Sequence, residues 1–406
     1  MQVQIGRSEE STIAWHPSSV ALRLPPGRGV ALLAASDPRH PRRSGAALPA
    51  SVDLTDGSPK VGQVRRLLGF LVALVFAASA AVLTWPSAFG LERTFPLAQI
   101  ISFRAALAAV LVAATLLMLL FALIRPIRAL ALVLALILGA AGGVNVALLS
   151  QRGLGTEGLP AKTDTSLRVM TWNTAGSATS AESIAQFAVG MQADVVTLPE
   201  TTIDTGAEVA ELMRAMGQPM WAHHAEYGEY GITGWDATST TVLIRPELGD
   251  YSVIQSSLDG SSNTSTVPSA VAMPVSGDGP IIVAAHAVAP RQEYMPQWRS
   301  DLQWLADQCA SDNVILAGDF NATLDHMTGM GVEGGTLGRC HDAASDSGNG
   351  GVGTWPTDAP ALLGAPIDHV MATPDWTVSG SVVMRSLDGS GSDHRPIVVQ
   401  LERTGG

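Results

Sequence analysis

Positive charge is scarce in the second half of this 406-residue chain. Residues 161–406 hold 10 Lys and Arg against 29 Asp and Glu, a net of −19, whereas residues 1–160 hold 14 against 7. A strongly acidic domain repels a polyanion through its long-range field unless metal ions intervene. The charge balance therefore disfavours nucleic acid as a substrate.

Cysteine is scarce as well, since Cys309 and Cys340 are the only two. A bridge between them fits an oxidising compartment, but two free thiols fit equally well, so the sequence leaves the pairing open. The chain also lacks a short apolar core with a cleavage site near its start, and we expect no cleaved signal peptide. Residues 1–64 mix Pro, Gly, Ser and Arg without a sustained period, which predicts a disordered tail.

Three long apolar runs are what the first half of the chain does contain. Leu67–Pro86 and Ala105–Ile124 carry no charge, and Ala129–Leu149 has Asn145 as its one clearly polar residue. Each run has about 20 residues, the length at which an α-helix crosses ~30 Å of hydrocarbon. One such run could be a buried helix of a soluble protein. Three in succession predict a three-helix transmembrane region over residues 65–150.

The positive charges that flank these runs predict their orientation. Lys60, Arg65 and Arg66 precede the first run, and Arg125 and Arg128 lie between the second and third runs, so these five residues are on one side of the membrane. The opposite side carries Arg93, Arg104, Arg152 and Lys162. Because cytoplasmic loops retain the excess of Lys and Arg, we expect the tail to be cytoplasmic. Three spans then place the rest of the chain outside the cell, with a linker over residues 151–166 and an extracytoplasmic domain over residues 167–406.

The segment Asn313–Ala322 joins a buried strand to two polar side chains. The apolar residues Val314–Ala317 predict the strand, and Gly318 is expected to let the backbone turn at its end. Asp319 and Asn321 follow at a spacing of two, so an extended backbone would project both side chains the same way. Such a carboxylate can orient or deprotonate a water, and the carboxamide can bind a phosphoryl oxygen. A strand that simply ends in an Asx turn is the alternative.

Polar residues stand at or beside the ends of several other predicted strands. They are Asn173, Glu200, His286, Asp368, Asp393 and His394. Loops at strand ends commonly carry the chemistry of α+β scaffolds. The oxygen ligands of Glu200, Asn173 and Asp393 suit Mg²⁺ or Mn²⁺, and imidazoles paired with carboxylates can donate or accept protons. Each residue alone also fits a strand-end cap, a core histidine or a turn, but together they predict divalent-cation phosphoester cleavage.

The same residues lie in six short motifs that follow one another along the chain. The motifs are Thr171-Trp172-Asn173, Leu198-Pro199-Glu200, His286 with Pro290, Gly318-Asp319-Phe320-Asn321, Ile367-Asp368-His369 and Ser392-Asp393-His394-Arg395-Pro396. In this order, over about residues 167–403, they resemble the motifs of the endonuclease/exonuclease/phosphatase superfamily. With three spans in front of an exported domain, the chain is also similar to the membrane-bound actinomycete branch associated with teicoplanin resistance. The resemblance implies an α+β fold, a four-layer α/β sandwich of the DNase I-like type, after the three transmembrane helices.

The resemblance also implies a metal site. Glu200 would hold Mg²⁺ (or Mn²⁺), with Asn173 and Asp393 in or near the coordination shell. Many members carry a second acidic or amide residue two positions after the first Asn, and here that position is Ala175. This departure favours one ion over two.

The remaining residues receive catalytic roles from the same resemblance. Asp319 would orient or deprotonate the attacking water. Asn321 and His286 would contact the phosphate, and His286 could protonate the leaving oxygen. His394, steadied by Asp368, would either stabilise negative charge in the transition state or act as the base, and the sequence leaves this choice open.

Three functions fit this set of residues. The leading one is a membrane-anchored, metal-dependent phosphoesterase, either a phosphodiesterase or a phosphatase, that hydrolyses a lipid-linked or small phosphate ester outside the cell. Tethering to the bilayer favours a lipid substrate. An extracellular nuclease would need a basic groove and aromatic stacking platforms, which the net charge of −19 opposes. A catalytically inactive binding module would tolerate the loss of a catalytic group, yet the expected positions other than Ala175 are filled.

Some polar residues are assigned no catalytic role. His223 and His224 are adjacent and would face opposite ways on a strand. Residues 329–353 are rich in Gly and Asp and predict a long flexible loop that includes His341 and Asp342. The segment Thr354-Trp355-Pro356 either walls the pocket or packs in the core.

Overall fold

The computed structural model describes residues 61–155, 158–227, 236–254, 262–277 and 279–404, which belong to one compact unit. The tail predicted over residues 1–64 lies outside the described residues except for its last four.

Three helices of the first part are long and apolar enough to cross a membrane, as predicted. The helices of this region are α1 (Val61–Thr84), α2 (Leu97–Ser102), α3 (Arg104–Phe121) and α4 (Arg128–Arg152). The candidate spans are α1, α3 and α4. The chain between α1 and α3 was not predicted to contain a helix, and it forms a 3-10 turn at Pro86–Phe89 followed by α2.

Glycines on α4 let α3 approach closely. A Cβ on Gly142 would lie 3.4 Å from Val112 Cγ2, and a Cβ on Gly139 would lie 3.3 Å from Thr115 Cγ2. Small residues at such positions allow two membrane helices to make extensive van der Waals contact. The two helices are joined by a turn in which Arg128 Nε donates a hydrogen bond of 2.9 Å to Ala122 O.

The strands of the described chain form two six-stranded sheets. They are β1 (Ser166–Thr171), β2 (Val195–Pro199), β3 (Trp221–Glu226), β4 (Ser239–Ile244), β5 (Tyr251–Val253), β6 (Ala270–Pro274), β7 (Ile281–His286), β8 (Val314–Asp319), β9 (His341–Asp342), β10 (Asp368–Ala372), β11 (Trp376–Val383) and β12 (Ile397–Arg403). The first sheet has the order β11-β12-β1-β2-β4-β3, and the second has the order β5-β6-β7-β8-β10-β9.

Three buried cores separate four layers. Apolar residues of both sheets, such as Val169 and Ile315, fill the space between the sheets. The outer face of the first sheet packs on α5 (Ala181–Gly190) and α6 (Ile203–Ala215). The outer face of the second sheet packs on α7 (Met295–Gln308), and Ala98 of α2 belongs to that same core. The predicted four-layer α/β sandwich is therefore confirmed.

The strand arrangement places several strand ends at one edge of each sheet. Each sheet contains a parallel pair, β1 with β2 and β7 with β8, joined across the outer face by α5 and α7 respectively. The antiparallel strands β10 and β12 begin where these parallel strands end, because Asp368 pairs with Asp319 and Ile397 pairs with Thr171. His286 in turn pairs with Asp319 across the parallel pair.

Gly318 has a different role from the one predicted. It lies inside β8, not at a turn, and a Cβ there would lie 1.9 Å from Ala285 O of the neighbouring strand. Glycine is needed at this position because two backbones approach too closely for any side chain. The chain turns later, at Asn321, whose φ of 47° is in the left-handed region.

The loop predicted over residues 329–353 contains regular structure. It includes β9 and the short helix α8 (Ala343–Asp346), and it is tied to α7 by a disulfide between Cys309 and Cys340. The free-thiol alternative is therefore wrong in this structure. Asp342, predicted to be in a flexible loop, is buried and accepts a hydrogen bond of 2.6 Å from His369 Nδ1.

Candidate active site

The structure brings the eight predicted polar residues together where the two sheets meet. Two hydrogen bonds join side chains of the first sheet to side chains of the second. Asn173 Nδ2 donates to Asp319 Oδ2 at 3.1 Å, and His394 Nδ1 donates to Asp368 Oδ2 at 2.9 Å. Asn173 Nδ2 also donates to Glu200 Oε1 at 3.1 Å. The sandwich thus forms one cluster from strands that are far apart in the sequence.

Asn321 holds the carboxylate of Asp319 in place. Its backbone N–H donates to Asp319 Oδ1 at 2.7 Å, and its Nδ2 donates to Asp319 Oδ2 at 3.1 Å and to Ala287 O at 2.9 Å. A tight turn, and not the extended backbone that we predicted, brings the two side chains to the same place. Because both amide hydrogens have partners, Asn321 orients Asp319 in this structure.

Glu200 and His286 lie on the other side of Asn173. Glu200 is partly exposed and has a left-handed φ of 56°, a strained conformation that often marks functional sites. Its Oε1 is 3.8 Å from Nε2 of the buried His286. His286 Nδ1 is buried and has no hydrogen-bond partner among the described residues. Burial lowers the pKa of His286 to about 3, helped by the charge of His394, so this imidazole is neutral.

His394 is fixed by contacts to its backbone as well as to its ring. Trp172 Nε1 donates to His394 O at 2.9 Å. The His394 N–H donates to Ser392 Oγ at 2.9 Å, and Ser392 Oγ in turn donates to Asn173 O at 2.6 Å. The ring Nε2 then lies 3.9 Å from Asp319 Oδ2 and 3.9 Å from Asp393 Oδ1. His394 therefore directs one ring nitrogen toward two carboxylates.

The pKa values of the buried groups in the cluster are shifted by burial and by neighbouring charges. Burial raises the pKa of Asp319 to about 7, and the neighbouring carboxylate of Asp368 adds to the rise. Burial alone would lower the pKa of His394, but the carboxylates of Asp368 and Asp319 raise it to about 10. Burial also raises the pKa of Glu200. At neutral pH, His394 is an imidazolium and Asp319 exchanges its proton readily.

The donor set of this cluster fits a divalent cation. It contains the carboxylates of Glu200, Asp319, Asp368 and Asp393 against one imidazolium, and in the described part of the chain no Lys or Arg forms an ion pair with them. Asp368 Oδ1 is buried and unpartnered among the same residues. Oxygen atoms of Asp319 and Asp368 lie within 4.8 Å of each other. Such an excess of hard oxygen donors suits Mg²⁺ or Mn²⁺.

Ala175 supplies no acidic or amide side chain at the position two residues after Asn173. Its backbone N–H donates to Asn173 Oδ1 at 3.0 Å, with a left-handed φ of 50°. The residue therefore orients the carboxamide through its main chain. His223 and His224 lie on β3, at the far edge of the first sheet, and are not among the side chains gathered here.

Three further residues support the cluster. Trp355 Nε1 donates to Asp393 Oδ2 at 2.9 Å, so Trp355 takes part in the site in addition to packing. Thr354 Oγ1 accepts the N–H of Asp368 at 3.1 Å. Arg395 is fully buried and donates to Pro356 O at 2.9 Å, which holds the Trp355 loop beside the site. The motif around His394 included Arg395, and Thr354 belonged to the segment that was expected either to wall the pocket or to pack in the core.

Several solved structures of low sequence identity are similar to part of this chain. A Beutenbergia cavernae protein described as an endonuclease/exonuclease/phosphatase is 20% identical, with a TM-score of 0.44 over 59% of this chain and 72% of that one. A Bacteroides vulgatus protein of the same description is 16% identical, with a TM-score of 0.43 over 59% and 100%. A humanized D. rerio TDP2 is 18% identical, with a TM-score of 0.43 over 59% and 100%. No curated protein matches the chain.

A family model gives the assignment. The model described as the Endonuclease/Exonuclease/phosphatase family matches residues 170–394, which is more than half of the chain and spans the gathered residues. Members of this family are commonly hydrolases of phosphate esters and generally depend on a divalent metal. On the family match, together with a four-layer sandwich that gathers these residues, the chain belongs to the endonuclease/exonuclease/phosphatase family.

Proposed function

We propose that the protein is a membrane-anchored, Mg²⁺-dependent phosphoesterase that hydrolyses a lipid-linked or small phosphate ester outside the cell. One observation carries the proposal. The carboxyl of Asp319 and the imidazolium of His394 lie 3.9 Å apart, both buried, in a cluster that is rich in carboxylates. This pairing provides a base and a stabiliser of negative charge at the same point.

The metal site of the proposal uses Glu200, Asn173 and Asp393. Bound there, one Mg²⁺ or Mn²⁺ would act as a Lewis acid that polarises the phosphoryl group and offsets its negative charge. Ala175 offers no side-chain ligand, which supports one ion. Asn173 holds Glu200 toward Asp319 through the two hydrogen bonds of its Nδ2.

Asp319 is the base in this proposal. Asn321 and Asn173 orient its carboxylate, which takes a proton from a water whose oxygen forms the new bond to phosphorus. The bond from phosphorus to the leaving oxygen breaks, and the leaving oxygen takes up a proton from its surroundings. The carboxylates of Asp368 and Asp319 raise the pKa of His394 to about 10, so its ring carries both protons at neutral pH before a metal binds. This favours Asp319 where the sequence left the choice open.

His394 and His286 contact the phosphate in different ways. His394 donates its Nδ1–H to Asp368, which leaves the Nε2–H to stabilise a phosphoryl oxygen as its charge develops. His286 is neutral before substrate binds, so it serves as a hydrogen-bond partner of the phosphate. Proton donation from His286 to the leaving oxygen requires that the bound phosphate first raise its pKa.

The extracytoplasmic location is part of the proposal. The disulfide between Cys309 and Cys340 supports it, because structural disulfides persist in oxidising compartments. The positive charges that flank the candidate spans support the same orientation. The likeness to the membrane-bound actinomycete branch rests on the order of spans and domain alone. A reporter fused to the C-terminus tests the location, and a cytoplasmic reading would overturn it.

A substrate panel tests the activity. The full chain in detergent with Mg²⁺ would be assayed against bis(4-nitrophenyl) phosphate, 4-nitrophenyl phosphate, a polyprenyl diphosphate and plasmid DNA. We expect turnover of an ester, its loss in EDTA and its loss in Asp319→Ala. Cleavage of DNA alone would favour a nuclease, and an absence of turnover on every substrate would favour an inactive binding module. The full chain is required because Ala98 lies in the core of the catalytic sandwich.

A further inference from the structure

The segment between α1 and α3 is built into the catalytic sandwich. We call residues 85–103 the junction segment. Within it, Ala98 is fully buried and packs in the core between the second sheet and α7, and Ile101 is also fully buried. A simple turn between two membrane helices would face water. This segment instead contributes side chains to the interior of the domain that carries the site.

The junction segment contacts two of the loops that carry catalytic groups. Gln99 Nε2 donates to Pro290 O, in the loop that follows β7. In the loop that follows β8, His326 Nε2 lies 2.9 Å from Ala98 O, and Arg93 Nη1 donates to His326 O at 2.5 Å. Both loops are therefore hydrogen-bonded to the chain between α1 and α3.

A third contact reaches the rim of the site. The rings of Phe103 and Trp355 lie 5.9 Å apart between centroids, with a tilt of 48°. Trp355 Nε1 then donates to Asp393 Oδ2 at 2.9 Å. Phe103 directly precedes Arg104, the first residue of α3. Two side chains thus separate the start of a candidate membrane span from Asp393.

A buried ionic cluster fixes this arrangement. Asp325, in the loop after β8, accepts two hydrogen bonds from Arg104 at 2.6 and 2.8 Å and two from Arg152 at 2.7 and 2.8 Å. Arg104 also donates to Asn145 Oδ1 at 2.6 Å. Paired, two-pronged Arg–carboxylate contacts are strong and geometrically specific. They hold the ends of α3 and α4 against the sandwich, so the site cannot swing away from the spans as it would on a flexible tether.

Apolar side chains remain exposed around this junction. Trp85, at the end of α1, is 61% exposed, and Phe95 is also exposed. From the sandwich, Leu362 and Leu363 are exposed on a helical turn that lies against α3. Trp is enriched at the membrane–water interface, which fits Trp85 at the end of a candidate span. The Trp355 side of the site therefore faces the same end of the candidate spans as these exposed apolar side chains.

We propose that Phe103 and Trp355 form the membrane-facing wall of the catalytic cleft and select a phosphate ester carried on a hydrocarbon chain in the adjoining leaflet. This inference rests on the proposed phosphoesterase activity and names its substrate class. The phosphate reaches Asp319 and His394 while the first carbons of the chain pack against Phe103. A water-soluble ester with the same headgroup has no hydrocarbon chain that could pack against this apolar wall.

The test compares esters that differ only in their tails. The full chain, reconstituted in phosphatidylcholine vesicles with Mg²⁺, would receive a long polyprenyl diphosphate or water-soluble dimethylallyl diphosphate. A diester pair, phosphatidylglycerol and glycerophosphoglycerol, would be assayed in parallel. For the headgroup that is hydrolysed, we expect kcat/KM of the long-chain ester to exceed that of its short counterpart by at least about 50-fold, since each buried methylene adds several-fold.

Variants of Phe103 distinguish a role in substrate selection from a general structural role of this residue. Phe103→Ala should lower the ratio of long-chain to short-chain kcat/KM by about tenfold, because it removes most of the apolar contact, and Phe103→Leu should restore much of the ratio. Phe70→Ala, an exposed position of α1 distant from the junction, is the matched control and should leave the ratio unchanged. If Phe103→Ala does not fold, Leu363→Ser applies the same test at an exposed site and should lower only the long-chain rate.

The outcomes distinguish the two levels of the proposal. A wild-type ratio near one would overturn the inference while leaving the phosphoesterase activity in place. Parallel loss of both rates in Phe103→Ala would do the same, because it would show mere structural support. If none of the four esters is hydrolysed while the nitrophenyl esters are, the inference is wrong and the proposed function stands; if no ester of either panel is hydrolysed, both are wrong.

Discussion

Asp319 and Asp325 are buried carboxyl groups six positions apart in the chain, and their surroundings give them opposite properties. Burial raises the pKa of Asp319 to about 7, and the carboxylate of Asp368 adds to the effect. Burial alone would raise the pKa of Asp325 too, but the hydrogen bonds and charges of Arg152 and Arg104 outweigh it and hold this pKa well below its usual range. The charge balance around a buried carboxyl, more than its burial, decides its state.

The active site around Asp319 and the junction around Asp325 therefore have different functions. Around Asp319 the carboxylates outnumber the cationic groups. A bound divalent cation would therefore stabilise the active site, and the carboxyl of Asp319 can exchange its proton. Around Asp325 the guanidinium groups satisfy the charge completely, which makes the junction a fixed structural contact. Replacing either acid by its amide should expose this difference.

The largest expected effect is the loss of turnover in Asp319→Asn. Removing the base should lower kcat by about 10³-fold, within the range for general acid–base groups. The assay is release of 4-nitrophenolate from bis(4-nitrophenyl) phosphate at saturating Mg²⁺. Asp307→Asn, at an exposed position of α7, is the control and should match the wild type. Turnover of Asp319→Asn within about fivefold of the wild type would exclude Asp319 as the base.

The corresponding substitution at the junction, Asp325→Asn, should destabilise the folded protein. Asp325→Asn leaves the buried guanidinium of Arg104 and the partly buried guanidinium of Arg152 without a counter-charge, which should lower the free energy of unfolding by about 3–5 kcal/mol. The midpoint of thermal unfolding in detergent measures it. Asp319→Asn should show no such loss, because it removes a negative charge from a carboxylate-rich pocket. Adding Arg152→Gln to Asp325→Asn should recover part of the loss, and equal midpoints for the two single variants would contradict the comparison.

The pH dependence of stability in EDTA should differ in sign between the regions. The folded pKa of Asp319, about 7, exceeds the value of ~3.9 for an unfolded chain, so its ionisation destabilises the fold as pH rises from about 4 to about 7. The pKa of His394 is raised from ~6.5 to about 10, so its stabilisation is complete below about pH 6.5 and is lost as pH rises to about 10.

Asp325 should act in the opposite direction and in a lower range of pH. Its lowered pKa gives stabilisation that is present above about pH 4 and is lost as the pH falls further. Chemical unfolding at a series of pH values would measure all three contributions. Asp319→Asn should flatten the slope between about pH 4 and 7, and Asp325→Asn should flatten the acid limb. Identical profiles for the two variants would show that their environments are not distinct.

The smallest expected effect is on metal affinity in Trp355→Phe. The variant keeps an aromatic ring beside Phe103 but loses the hydrogen bond to Asp393. Loss of such a supporting contact should weaken the apparent affinity for Mg²⁺ by about tenfold and leave kcat at saturating Mg²⁺ nearly unchanged. Trp376→Phe loses an indole hydrogen bond to Asn313 outside the site and is the control. An unchanged Mg²⁺ titration would remove Asp393 from the metal site.

The gathering of the site residues could be predicted because it follows from the ends of strands. Parallel pairing brings His286 beside Asp319, and antiparallel pairing brings Asp368 there too. For Gly318 and Asn321, the predicted backbone conformation was wrong. Gly318 permits a close approach of two strands, and Asn321 reaches Asp319 through a left-handed turn. Side-chain spacing along a strand does not show where the backbone leaves the extended conformation.

The junction could not be predicted from sequence. Arg104 was counted only as a charge that flanks a span, and Asp325 was not singled out. Their contact joins residues 221 positions apart, and no periodic pattern in the chain reports such a contact. The same holds for Ala98, a small residue whose burial depends on a domain that begins much later in the chain. Asp342 was placed in a flexible loop because its buried partner, His369, lies on another strand.

The most direct test of the metal-dependent site is equilibrium binding of Mn²⁺ to the full chain, followed by the paramagnetic resonance of the free ion, with Mg²⁺ as competitor. Glu200→Gln is the variant, and Glu247→Gln, an exposed carboxylate outside the site, is its control. We expect one ion per wild-type chain, displaced by Mg²⁺, with binding lost in Glu200→Gln and retained in Glu247→Gln. Absence of binding in the wild type, or wild-type binding in Glu200→Gln, would contradict a catalytic centre built on these carboxylates.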